Sequence, residues 1–181
     1  DLVIYFAGSL IALTQSIVFA HYYRIFRRDH LLLWSISFLS LSIYLFTAGS
    51  STMLLGVLPS AHPLRLGLSC LSLIAAYTQV AALIMGTMAI WRTQRWTRLQ
   101  IQRALVLAGL IGLLSSLAFA FDPQYVQQRF FLRVGLRYLV VGLVALCMGL
   151  AIAWRWPPGR LGQQLTGVAL SLYGVDQLHV F

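Results

Sequence analysis

An all-α, polytopic transmembrane helix bundle is the fold class this sequence predicts, and three observations predict it. Of 181 residues, 60% are hydrophobic and 9% are charged, with a mean hydropathy of +0.82. A soluble domain carries about 25% charge, so there is too little polar surface here to face water on all sides. The apolar runs are long and continuous, each near the roughly 20 residues needed to cross a bilayer. Backbone cannot lie bare in hydrocarbon, which leaves helices or a closed barrel, and the short alternating segments of a barrel are missing. Finally, Pro59, Pro63, Pro123, Pro157 and Pro158 all fall between the runs, so no helix need be kinked by proline.

Six spans follow in order: about Leu2 to Tyr23, Leu31 to Val57, Leu64 to Trp91, Ile101 to Phe121, Phe131 to Trp154 and Leu161 to Phe181. They are separated by RRDH, LPSAHP, RTQRWTR, FDPQ and RWPPGR. Gly109, Gly112, Gly142 and Gly149 sit inside spans and read as positions of close helix packing. Gln15 and Ser16 on the first span, and Tyr77, Thr78 and Gln79 on the third, lie at comparable mid-membrane depth and are expected to hydrogen-bond between helices. Cys70 and Cys147 read as small, reduced, buried side chains, with no disulfide framework or CxxC metal pattern.

Charge sets the expected orientation. The 13 basic residues are all arginine, and the net charge is +9. No basic domain stands apart from the spans, so the charge belongs to membrane flanks and not to nucleic-acid binding. The first, third and fifth connections hold Arg24, Arg27, Arg28, Arg92, Arg95, Arg98, Arg103, Arg155 and Arg160, whereas the other side holds Arg65, Arg129, Arg133 and Arg137. The positive-inside rule then places the N-terminus outside. Trp34, Trp91, Trp96, Trp154 and Trp156 lie on the arginine-rich side as expected topology anchors in contact with membrane lipid. Arg95 and Arg98 are further candidates for contact with anionic lipid or an adjacent output helix.

Both ends suggest a piece of something longer. The chain begins with Asp1 and lacks the layout of a secretory signal. It stops at Phe181 while still apolar. A seventh helix and a cytoplasmic part are therefore expected beyond it, giving six spans present of seven.

Three stretches carry a resemblance. HYYRIFRRDHLLLWSISFLSLSIYLF joins a basic cluster to an apolar span with Trp34 near its start. WRTQRWTR closes the third span with a second basic loop. LSLYGVDQLHVF, in the sixth span, fits the pattern L-x-G-x-x-Q-L-x. Together they resemble the N-terminal seven-helix sensor regions of bacterial signalling proteins, which precede PAS, diguanylate cyclase (GGDEF) or histidine kinase modules. The resemblance implies a multi-pass protein of the bacterial inner membrane, a homodimer, that passes a ligand or membrane signal to a cytoplasmic output domain. The chain carries no H-box, nucleotide-binding glycines or GGDEF motif, so it is not expected to be an enzyme itself. A small transporter or channel, or an accessory subunit of a membrane complex, is the rival reading. Its marks would be inverted repeats and helices broken at the midplane, and neither is seen in the sequence.

The candidate site is the polar patch in the sixth span. An ionisable side chain in a span costs about 2.5–3.5 kcal/mol and so calls for a reason. Asp176 stands fifteen residues after Leu161, about 22 Å along a helix, in the outer half. Tyr173, Asp176 and Gln177 share a helical face. Arg133 and Arg137 open the fifth span on the same side, and Asp176 with Arg137 is expected either as an ion pair fixing helix packing or as the heart of an outward-opening ligand pocket. His179, His62 and Arg65 lie at the same outer level and could complete its mouth. A metal is not expected, because only His62, His179 and Asp176 could supply ligands. Nor is haem, because His21 and His30 lie near the inner edge and not at mid-depth.

Overall fold

The computed structural model describes residues 2–54, 57, 62–91, 96–118, 135–155 and 161–178. Six helices lie among them: α1 (Leu2–Phe26), α2 (Asp29–Leu54), α3 (Pro63–Trp91), α4 (Arg98–Ala118), α5 (Leu136–Arg155) and α6 (Leu161–Leu178). Four, α1 to α4, are long and apolar enough to cross a membrane, and α5 contains a shorter apolar stretch, Tyr138–Ile152. The chain divides into two compact units, Asp1–Tyr125 and Val126–Phe181.

The first unit is a row of antiparallel helices, each packed chiefly on its chain neighbours. Of the apolar windows, 39% is buried in α2 and α3 but 17% in α1 and α4, so α2 and α3 form the middle of the row.

The helix ends have local causes. Arg27 closes α1 with φ 52, and its N–H reaches the Tyr23 carbonyl at 2.8 Å. That left-handed position is usually glycine. The turn is so short that α1 and α2 must lie side by side. Asp29 opens α2, where an acid complements the helix dipole. Pro63 opens α3, where its missing N–H costs nothing. Thr97 and Gln100 form a reciprocal cap on α4: Gln100 N–H donates to Thr97 Oγ1 at 3.2 Å, and Thr97 N–H donates to Gln100 Oε1 at 3.0 Å.

Within lipid, helices gain little from burying apolar surface against one another. They associate through close packing of small residues and through hydrogen bonds. The α1–α2 seam shows both. Ser9 meets Ser42, with hydroxyls 3.0 Å apart, and Ser16 meets Ser35. Residues seven apart on one helix thus face residues seven apart on the other. Gly49, a further seven along α2, admits Tyr5, whose Cβ would lie 3.0 Å from a Cβ at that position.

Between α2 and α3, Ser37 Oγ donates to the Gln79 carbonyl at 3.1 Å, and Tyr44 packs on Ala75 and Ala76. Leu33, fully buried, joins Met85 of α3 and Ile101 of α4. Between α3 and α4, Gly112 lies against the backbone of Leu73 and Ile74, and Cys70 Sγ is 2.9 Å from Ser116 Oγ.

The second unit is an antiparallel hairpin built on glycine. A Cβ at Gly142 would lie 3.0 Å from the Gly174 carbonyl oxygen, and one at Gly149 would lie 2.6 Å from that of Gly167. Again residues seven apart meet residues seven apart. Val141, Ala145 and Met148 are buried beside this crossing.

Several expectations change. Cys147 is exposed, because it stands on α5 away from the glycine crossing, while Cys70 is half-buried. Gln15 is exposed on α1, and its neighbour Ser16 makes the interhelical bonds alone. Gly109 makes only an ordinary contact, 3.8 Å from Ile74. Trp34 and Trp96 are half-buried and pack on protein, which is compatible with the expected place at a membrane boundary. Trp34 lies edge-on to Phe19 and His30 and over Gly86, and Trp96 covers the Leu33–Met85–Ile101 cluster. The side chains of Trp91, Trp154 and Trp156 lie outside the described residues.

Candidate functional site

The polar patch on α6 is positioned by the glycine seam on the helix's other side. Gly167 and Gly174 are buried where α6 crosses α5. The remaining circumference points away from α5: Leu172 is 65% exposed, Val175 54% and Tyr173 40%. Asp176 is exposed on this outer face and Gln177 is half-buried beside it. Gln177 Nε2 donates to Asp176 Oδ2 at 3.3 Å. Tyr173, Asp176 and Gln177 therefore come together as the helical spacing predicts, with the carboxylate ending an exposed apolar ridge.

Such a carboxylate, partly satisfied by one amide, has lone pairs left for a hydrogen-bond donor or a cation. In hydrocarbon it is costly unless something meets it. The Gln177 amide restricts its orientation, and the phenol of Tyr173 lies one turn away along the same helix.

Arg137 belongs to the first turn of α5. With Gly142 opposite Gly174, Asp176 stands opposite about residue 140, so the two backbones differ in depth by about 4.5 Å, three residues of rise. The side chain of Arg137 lies outside the described residues, as do Arg133 and His179.

His62 and Arg65 belong to the first unit, at the start of α3. His62 acts as a cap there. Its Nδ1 accepts from Leu64 N–H at 3.3 Å, and its carbonyl accepts from Arg65 N–H at 3.0 Å and Leu66 N–H at 3.2 Å. Arg65 is half-buried. Among the described residues, no group of three or more His, Cys, Asp or Glu side chains is placed to hold a metal.

Among the buried polar residues that the sequence reading passed over are Ser9, Ser35 and Ser42 of the α1–α2 seam. Their signal was the seven-residue spacing of Ser9 with Ser16 and of Ser35 with Ser42. Hydropathy does not register it, because a serine hydroxyl is small and close to neutral on such scales.

No protein-family model, no curated protein and no solved structure matches this chain.

Proposed function

We propose that this chain is a membrane-embedded signal-sensing module of the bacterial inner membrane. It contributes six spans, with the N-terminus outside, to a seven-helix dimeric sensor. It is not itself catalytic, and it relays a ligand or membrane signal to a cytoplasmic output domain of the histidine kinase or diguanylate cyclase type.

The observation that carries this reading is the pairing of two faces on α6. One face exposes Tyr173 and Asp176, and the other touches α5 backbone to backbone at Gly174, two residues from the acid. A group that engages Asp176 therefore acts on a helix held closely against α5, so that a shift of α6 would be felt at the α5 backbone. Arg137, within one turn of the same depth, is the second residue assigned to reception. A ligand shifts such a module only by binding its two packings with different affinity.

The test is output from the complete gene product in membranes, read as kinase autophosphorylation or cyclic diguanylate synthesis. Coupling energies of 1–3 kcal/mol correspond to about 5- to 150-fold changes. Asp176→Asn and Arg137→Ala are expected to reduce the signal-dependent change by at least about fivefold. Wild-type response in both variants contradicts the reading.

A further inference from the structure

We propose that the end of the first unit formed by the α1–α2 turn and the start of α4 is a docking surface for anionic phospholipid headgroups. The packing of Leu33 on Met85 and Ile101, covered by Trp96, brings the beginning of α2 and the beginning of α4 to the same end of the row. Five arginines flank that cluster: Arg24, Arg27 and Arg28 from the first turn, and Arg98 and Arg103 from α4. All five are exposed, and none makes an ion pair among the described residues. The acid at this end among the described residues is Asp29. At the opposite end of the same unit the described residues bring one arginine, Arg65. The charge is therefore concentrated, five arginines against one acid, and at the boundary of the apolar helices, where headgroup phosphates lie.

The turn supports the same assignment. Arg27 occupies a left-handed backbone position, φ 52, that glycine adopts without strain. Its guanidinium lies 5.9 Å from the centre of the Tyr23 ring. That cation–π contact leaves the edge of the guanidinium free to make paired hydrogen bonds to phosphate oxygens. A planar fork of donors beside an interfacial aromatic suits a phosphodiester headgroup.

Lipid identity, ionic strength and charge removal test this together. The protein, purified in neutral detergent, is unfolded thermally with added phosphatidylglycerol, phosphatidylcholine or inorganic phosphate. Phosphatidylglycerol is expected to raise the midpoint, and the other two are not. The gain should fade as ionic strength rises. Each guanidinium removed is expected to weaken the lipid's apparent affinity about fivefold. Arg28→Gln and Arg103→Gln test the charge, and Arg27→Gly removes charge while relieving the backbone, so the fold is retained. Arg65→Gln, at the other end, should leave the effect unchanged. Equal stabilisation by phosphatidylcholine or by inorganic phosphate overturns the proposal, as does a phosphatidylglycerol effect that survives the Arg27, Arg28 and Arg103 changes combined. If the combined variant does not fold, the single variants decide: a phosphatidylglycerol effect that none of Arg27→Gly, Arg28→Gln and Arg103→Gln weakens overturns the proposal.

Discussion

Ser16 and Ser35 exchange hydrogen bonds across the α1–α2 seam: Ser16 Oγ donates to the Ser35 carbonyl at 2.8 Å, and Ser35 Oγ donates to the Ser16 carbonyl at 3.0 Å. The pair fixes the antiparallel register one heptad from Ser9 and Ser42. Because hydrogen bonds within membranes are worth about 0.6 kcal/mol on average and about 1.7 at most, Ser16→Ala and Ser35→Ala are each expected to cost in that range. The double variant should cost less than the sum, since each single change breaks bonds the other shares. Reversible unfolding in mixed detergent micelles measures all three.

The glycine crossing of α5 and α6 should tolerate nothing larger. A Cβ at Gly149 would meet Ser171 Oγ and the Gly167 carbonyl oxygen, the latter at 2.6 Å, and backbone cannot move aside cheaply. Gly149→Ala is expected to destabilise by about 1–3 kcal/mol or more. Gly67→Ala is the contrast. Nothing lies within 4 Å of that position, so the added methyl should be neutral or stabilise by up to about 1 kcal/mol through helix propensity. Thermal midpoints of the two variants should move in opposite directions or differ sharply in size.

Gly86 and Trp34 form a coupled pair. A Cβ at Gly86 would lie 2.6 Å from Trp34 Cδ1 and 2.8 Å from its Nε1. Gly86→Ala should therefore cost about 1–3 kcal/mol. Trp34→Phe, made in the Gly86→Ala background, should recover part of that loss, a non-additivity of about 0.5 kcal/mol or more. Recovery absent in equilibrium unfolding means the ring does not lie on that face of α3.

Orientation is open to labelling. In a protein with Cys70→Ser and Cys147→Ala, a cysteine at Val57 is expected to react with a membrane-impermeant maleimide in intact spheroplasts. A cysteine at Arg28 should react only after the membrane is opened. The reverse pattern places the N-terminus inside.

Much of the fold was legible in the sequence because the constraint is simple. Hydrocarbon demands helices, and the expected starts at Leu31 and Leu64 fall just inside the observed ones, because Asp29 and Pro63, read as parts of the connections, are taken up as first residues of α2 and α3. Gly112, Gly142 and Gly149 mark close approach because no other residue lets backbones touch. What was not legible was which polar residues face a neighbour. Gln15 and Ser16 are adjacent in the chain, yet one is exposed and the other is central to a seam. That choice depends on helix rotation, which packing sets. The serine heptads carried the information, but only as a pattern shared by two helices. At the candidate site, the common face of Tyr173, Asp176 and Gln177 followed from spacing alone. The exposure of that face did not, because it depends on Gly167 and Gly174 turning the opposite side toward α5.

Reading the coding sequence past Phe181 decides between a sensing module that feeds a cytoplasmic output domain and its rivals. A seventh apolar span followed by a kinase, cyclase or coiled-coil segment is the predicted result. A stop codon at that point, or further spans with no soluble domain, contradicts the account and would turn Asp176 and Tyr173 into candidates for a transport path or a subunit contact.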